Sequence, residues 1–397
     1  MYLLGTKTYV KIQNFILKHK IVLVPCLCVS AMLVILLSSN TKKSQSDPTQ
    51  LTQNPVEPLA YTCCTPLNNS LRTNVYFLKT HKTGSTTVEN LILRFALMNS
   101  LDVMNIIYTT YYLPFSDRSI YSHTRPPNDK YHILAHHVRY DSKLKSYQYP
   151  DTSTVTILRH PVAHFKSKYD FFQLNLLTGM SLKQFLNAPV KPPLLVGVDS
   201  FMAYRGYNQM SVDLGFDVNQ SRNQTAIAEF IEKIDREFDL VMIMEFMEAS
   251  IILLANLMGW PIETVAHLKL NARLPDSNSN NSNLTLREEF TIMDLNEVDT
   301  QLYHHFRNKF LKCVRQYGPQ KMNDQIQRLK TINERFYHRC VSDDVKYYTW
   351  YGFLKTIEYT PKNQSDLECV YATTNPIILE DIVRNEQFDR LQRQRKI

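Results

Sequence analysis

An α/β fold is what this sequence predicts: a parallel sheet flanked by helices on both faces, preceded by one transmembrane helix. Three observations carry that reading. Short apolar runs recur at residues 75–78, 131–135, 154–158 and 239–244. Strands buried on both faces read this way, rather than as alternating polar and apolar residues. Segments with apolar residues at the 3.6-residue period stand between them, in the strand–helix–strand order of a parallel sheet. One uncharged 17-residue run, residues 21–37, precedes them all.

The elements follow in chain order. Residues 1–20 read as a cytoplasmic tail. Lys7, Lys11, Lys18 and Lys20 precede the apolar run, no acidic residue does, and Lys42 and Lys43 follow it. That bias keeps the N-terminus cytoplasmic, so residues 21–37 are expected to be a signal anchor. A cleaved signal peptide is the alternative. Residues 38–72, dominated by Ser, Thr, Gln, Asn and Pro, read as a stem, and residues 73–397 as one lumenal domain. Asn68, Asn219, Asn223, Asn280, Asn283 and Asn363 each open an Asn-x-Ser/Thr sequon. Six of them, all beyond the anchor, point to glycosylation in a secretory compartment. No cysteine spacing resembles a zinc site.

The run Val75 to Leu78 is long enough for one buried strand. After it, Val88, Leu91, Ile92 and Phe95 fall on one helical face. Between them lies Lys79-Thr80-His81-Lys82-Thr83-Gly84-Ser85-Thr86-Thr87. A strand turning into a helix aims backbone N–H groups and the positive end of the helix dipole at one spot, which attracts phosphate. Lys82 adds a point charge. Thr83, Ser85, Thr86 and Thr87 add donors, and one of them is expected to cap the helix. With only 9 glycines in 397 residues, Gly84 at such a turn is informative.

A second strand, residues 131–135, leads into His136, His137, Val138, Arg139 and Tyr140. A third, residues 154–158, runs into Arg159-His160-Pro161, where Pro161 suits the first helical turn. A helix over 226–238 precedes the fourth strand, 239–244. Further helices are expected over 249–258, 296–317 and 320–339. Residues 276–283 read as an exposed polar loop. Ligands of such sheets bind at the carboxyl ends of the strands. The Lys82 turn, His136–Arg139 and Arg159 all fall there. A net charge of +8 suits an anionic ligand but equally a plain basic surface. Nothing points to nucleic acid.

A nucleoside triphosphatase is disfavoured. The Walker pattern needs a glycine five residues before its Gly-Lys pair; here the order is Lys82-Thr83-Gly84, with no glycine in the preceding strand. No acidic residue ends the following strands to hold magnesium.

Lys82-Thr83-Gly84-Ser85-Thr86 after a strand resembles the 5′-phosphosulfate loop of the sulfotransferases, whose sheet is P-loop-like. Leu158-Arg159-His160-Pro161 with Ser167 resembles their 3′-phosphate motif. Phe77 to Thr83, His137-Val138-Arg139-Tyr140 and Lys269-Leu270-Asn271-Ala272-Arg273 resemble the galactose 3-O-sulfotransferases, the group that includes galactosylceramide sulfotransferase. The resemblance covers about residues 73–340. His136 and His160 depart from it, standing where an Asn and an acidic residue are common.

The resemblance implies a Golgi membrane enzyme of type II. It would move a sulfuryl group from 3′-phosphoadenosine 5′-phosphosulfate (PAPS) to the 3-hydroxyl of a terminal β-galactose on a glycolipid or glycoprotein. Lys82 would stabilise the leaving oxygen, with Thr83, Gly84, Ser85, Thr86 and Thr87 around the 5′-phosphate. Arg159 and Ser167 would bind the 3′-phosphate. His137 would be the general base, with His136 as fallback, and the chemistry requires no metal. Arg139 would bind either donor phosphate or Asp141. Cys340 and Cys369 resemble a family disulfide. Two alternatives stay open: a sulfotransferase for another glycan, and an inactive lumenal glycan-binding protein of the same fold. A homodimer also stays open.

Overall fold

The computed structural model describes residues 71–107, 115–192, 194, 206–270, 283–343, 346–350 and 354–395. The expected tail, anchor and most of the stem lie outside these, as do Asn68, Asn280 and most of the 276–283 loop. Among the described residues no helix is long and apolar enough to cross a membrane.

Strands β1 (Val75–Leu78), β2 (Ile133–Leu134), β3 (Ser153–Leu158) and β4 (Leu240–Ile243) pair in parallel, in the order β2-β1-β3-β4. Every residue in them is buried. Burial along every strand is consistent with cover on both sides of the sheet, and in β3 it includes Ser153, Thr154 and Thr156. The expected strand over 131–135 shrinks to Ile133–Leu134. Tyr131 instead bridges to Gln148, and His132 Nδ1 accepts from the Asp102 N–H at 3.2 Å.

The helices are α1 (Ser85–Met98), α2 (Pro161–Phe171), α3 (Leu174–Thr178), α4 (Leu182–Asn187), α5 (Gln209–Asp213) and α6 (Gln224–Glu237). They continue with α7 (Met247–Met258), α8 (Leu286–Leu295), α9 (Glu297–Tyr317), α10 (Pro319–Cys340), α11 (Leu367–Thr373) and α12 (Pro376–Arg395). An antiparallel hairpin, β5 (Lys346–Trp350) and β6 (Leu354–Glu358), precedes α11. Helix α6 shows why these segments fold as they do. The Asn223 side chain accepts from Ala226 N and caps its start. Ile227, Phe230, Ile231 and Ile234, at the 3.6-residue period, are buried. Each such side chain contributes about 1.5–3 kcal/mol on burial.

Helix α1 corrects one expectation. Its buried face is not a stripe: Glu89, Asn90, Leu93 and Arg94 are buried along with Val88, Leu91, Ile92 and Phe95. The reason is that α11 and α12 also pack on it. Its polar residues therefore need interior partners. Asn90 donates to the Tyr371 carbonyl at 2.9 Å, Glu89 pairs with Lys79 at 2.6 Å, and Arg94 donates to the Ala266 carbonyl. Helix α12 is pinned by buried Gln387, which binds both the N–H and the C=O of Val103 and the C=O of Thr124.

Cys340 and Cys369 are joined in a disulfide that ties α10 to α11. Its closed loop spans 29 residues of sequence separation. Cys340→Ser is expected to cost about 3–4 kcal/mol by loss of loop-closure entropy from the unfolded chain. A denaturant midpoint that does not fall would contradict this.

Gly215 follows α5 with φ +90°, a left-handed conformation. A Cβ there would stand 2.5 Å from the Tyr140 carbonyl oxygen. Gly215→Ala therefore meets both backbone strain and a collision, and should cost about 2–4 kcal/mol. Thermal denaturation reads it directly.

Candidate active site

The strand order fixes where a ligand can bind. From β1 the chain moves to β2 on one side, then returns to β3 on the other. The switch point lies between β1 and β3, and the crevice opens at their carboxyl ends. Lys82 lies in the loop after β1, and Arg159 immediately follows β3.

The loop after β1 is braced from within. Thr83 Oγ1 and Ser85 Oγ both donate to the Thr80 carbonyl, at 3.1 and 2.7 Å. Thr80 Oγ1 in turn donates to the Ile157 carbonyl of β3. These hydroxyls therefore shape the loop, and none of them caps α1. The N-cap is Gly84 at φ +74°, with no side-chain cap. A Cβ on Gly84 would lie 3.0 Å from Met247 Cε and 3.2 Å from Met244 Cγ. The first-turn N–H groups at Ser85 and Thr86 have no preceding helical carbonyl. Lys82 itself is left-handed at φ +59°. Such strain in a non-glycine residue persists only where its surroundings enforce it. The Lys82 ammonium sits 3.7 Å over the ring of Phe171, in α2.

Arg159 reaches this loop. Its Nη1 donates to the Lys82 carbonyl at 3.0 Å, while its buried Nε makes no hydrogen bond. Burial lowers the guanidinium pKa, and Glu245 opposes that shift. Ser167 is half-buried on α2, whose first turn begins at Pro161. Thr86 and Thr87 lie in the first turn of α1, the former half-buried and the latter buried.

His137 lies across the loop. Its Nδ1 is 2.8 Å from the Lys79 carbonyl oxygen. An oxygen can only accept, so Nδ1 carries the proton and Nε2 the lone pair. Burial, then His81 and Lys79, hold its pKa well below the ordinary value, so the ring is neutral near pH 7. The ring stacks on His81, centroids 3.8 Å apart and planes 11° apart.

His81 is clamped on several sides. Asp213 accepts from its backbone N–H at 2.8 Å and meets its Nδ1 at 2.9 Å. Buried His164 donates from Nε2 to its carbonyl at 3.0 Å. Asp213 also accepts from Gln209 Nε2 at 2.9 Å. Behind it, Lys168 is buried and donates to the Gly206 carbonyl. Burial pushes the Lys168 ammonium down to about 8, against Asp299 and Asp213.

Several expectations are revised here. Arg139 makes no ion pair with Asp141; it donates to the Phe216 carbonyl at 3.1 Å. His136 is 2% exposed, with its Nδ1 3.4 Å from Glu380 Oε1. A carboxylate does follow β4: Glu245 accepts from His160 N at 2.8 Å and from Tyr303 Oη at 3.1 Å. Asp213, His164 and Glu245 were missed. Asp213 ends a five-residue helix with no periodic signal, and only the tertiary fold brings it to His81.

Of the expected glycosylation sites, Asn219, Asn223, Asn283 and Asn363 are described, and all four are exposed.

Comparison with known proteins follows the same line. A family model for galactose-3-O-sulfotransferase matches residues 3–350. Galactose-3-O-sulfotransferase 3 of Homo sapiens is 32% identical over 298 residues, covering 71% of this chain and 67% of that protein. Galactosylceramide sulfotransferase of Mus musculus is 29% identical over 301 residues, covering 72% and 69%. Galactose-3-O-sulfotransferase 2 of Sus scrofa is 29% identical over 282 residues, covering 68% and 69%. With its phosphate-type loop and a strand-end arginine meeting at one switch point, and with that match over most of its length, the chain belongs to the galactose-3-O-sulfotransferase family.

Proposed function

We propose that this protein transfers a sulfuryl group from PAPS to the 3-hydroxyl of a terminal β-galactose on a glycolipid or glycoprotein glycan. The observation that carries this is the contact between Arg159 and the Lys82 carbonyl at the β1–β3 switch point, beside a neutral His137. PAPS supplies an activated sulfuryl group whose departure leaves a phosphate carrying growing negative charge. The residues present fit such a donor, because Arg159 Nε is a buried donor lacking a protein partner.

Within this reading each residue has one task. Lys82 and the Thr83–Thr87 turn of backbone N–H groups hold negative charge at the leaving oxygen. Arg159, with Ser167 eight residues on, holds the 3′-phosphate through its planar fork. His137 Nε2 takes the galactose O3 proton as the new O–S bond forms and the S–O bond to the donor breaks. His81 stacks on that ring and Asp213 fixes His81, so the pair positions the base rather than reacting.

The same reading places the enzyme in the Golgi membrane as a single-pass type II protein, anchored by residues 21–37. The exposed sequons and the Cys340–Cys369 disulfide support an oxidising lumen.

Transfer of labelled sulfate from PAPS to an acceptor panel tests the proposal. Galactosylceramide and lactosamine are expected to accept, and their 3-deoxygalactose analogues are not. Transfer to heparan chains alone would support a different acceptor class. Binding without any transfer would support an inactive glycan-binding protein. Arg159→Lys keeps the charge but loses the fork, and should raise the donor KM about tenfold with kcat nearly unchanged. Unchanged donor KM would remove Arg159 from the nucleotide site.

A further inference from the structure

Behind the Lys79–His137 hydrogen bond lies a second cluster, which the transfer chemistry does not use. Glu89 of α1, His136 after β2 and Glu380 of α12 each bring one ligand atom within 4.8 Å of the others. Glu89 is fully buried and His136 is 2% exposed. Buried polar groups are normally hydrogen-bonded. Yet neither ring nitrogen of His136, nor Oε1 of Glu89, makes a hydrogen bond.

The spacing explains what is missing. His136 Nδ1 stands 3.4 Å from Glu380 Oε1 without the alignment of a hydrogen bond. Two ligands about 2.1 Å from one tetrahedral ion are themselves about 3.4 Å apart. The other Glu89 oxygen, Oε2, takes the Lys79 ammonium at 2.6 Å. Such a hydrogen-bonded partner is usual for a metal-bound carboxylate.

One imidazole and two carboxylates suit a divalent ion of borderline softness. We propose that Glu89, His136 and Glu380 bind one Zn²⁺ ion, completed by a water or a second carboxylate oxygen. The ion would clamp α12 to α1 and to the segment after β2. Its role is structural, and the proposal stands apart from the sulfate-transfer reading.

The test uses the full chain purified without chelator. Elemental analysis should find one equivalent of zinc, dipicolinate should remove it, and the melting temperature should then fall by several degrees. Added Zn²⁺ should restore it. His136→Ala and, as a second variant at a partly exposed ligand, Glu380→Gln should each weaken Zn²⁺ binding by about 100-fold or more. Substoichiometric zinc would overturn the site. So would a melting temperature indifferent to Zn²⁺, or one equivalent of zinc retained by both variants. In the last two cases the ion is adventitious or bound elsewhere. None of these readouts depends on sulfate transfer.

Discussion

Lys82→Ala is expected to lower sulfate transfer about 10²–10³-fold, chiefly in kcat, the range seen when one preorganised charge stabiliser is removed. The physical reason is local. Lys82 holds a left-handed backbone between a buried strand and α1, and its carbonyl is fixed by Arg159. In the proposed reading the loop would present the ammonium where the leaving oxygen gains charge. Lys82 is half-buried, and its ammonium rests on the ring of Phe171. Substitution should therefore leave the melting temperature nearly unchanged. A variant with wild-type kcat would separate this lysine from the chemistry.

The second large effect is at His137. His137→Ala should reduce kcat/KM about 10²–10⁴-fold, the usual contribution of a positioned general base. His137→Asn sharpens the test. Its amide N–H can keep the hydrogen bond to the Lys79 carbonyl, which now takes Nδ1 at 2.8 Å, but it has no basic nitrogen. Stability should then stay close to wild type while transfer stays as low as in the alanine variant. If asparagine restored transfer, His137 would be a structural residue and not a base.

How much of this was legible in the sequence differs element by element. Strands β1, β3 and β4 were readable because strands buried on both faces need continuous apolar runs. The carboxyl ends of β1 and β3 located Lys82 and Arg159, and the end of the second expected strand located His137. What stayed hidden depended on contacts distant in the chain. The hydroxyls of Thr83 and Ser85 looked like helix caps, because capping is the common use of such residues there. They bind Thr80 instead, since Gly84 takes the cap position. Glu89 fell outside the expected apolar stripe of α1, and its burial follows only once α12 is docked. Helix α12 carries mixed polar residues, and one buried glutamine, Gln387, anchors it through three backbone contacts. Asp213 reaches His81 from 132 positions away, a distance that no local pattern encodes. The Cys340–Cys369 bridge came from family resemblance and not from spacing.

One adenine nucleotide gripped by both the Lys82 loop and Arg159 is the claim beneath all of this. Calorimetric titration with adenosine 3′,5′-bisphosphate and with adenosine 5′-phosphate tests it most directly. The account predicts that the wild type prefers the bisphosphate by about tenfold or more, as loss of a charged hydrogen-bonded group implies. Arg159→Ala should erase that preference, and Lys82→Ala should weaken both ligands together. Equal affinity of the wild type for the two nucleotides, or a preference that survives Arg159→Ala, would contradict it.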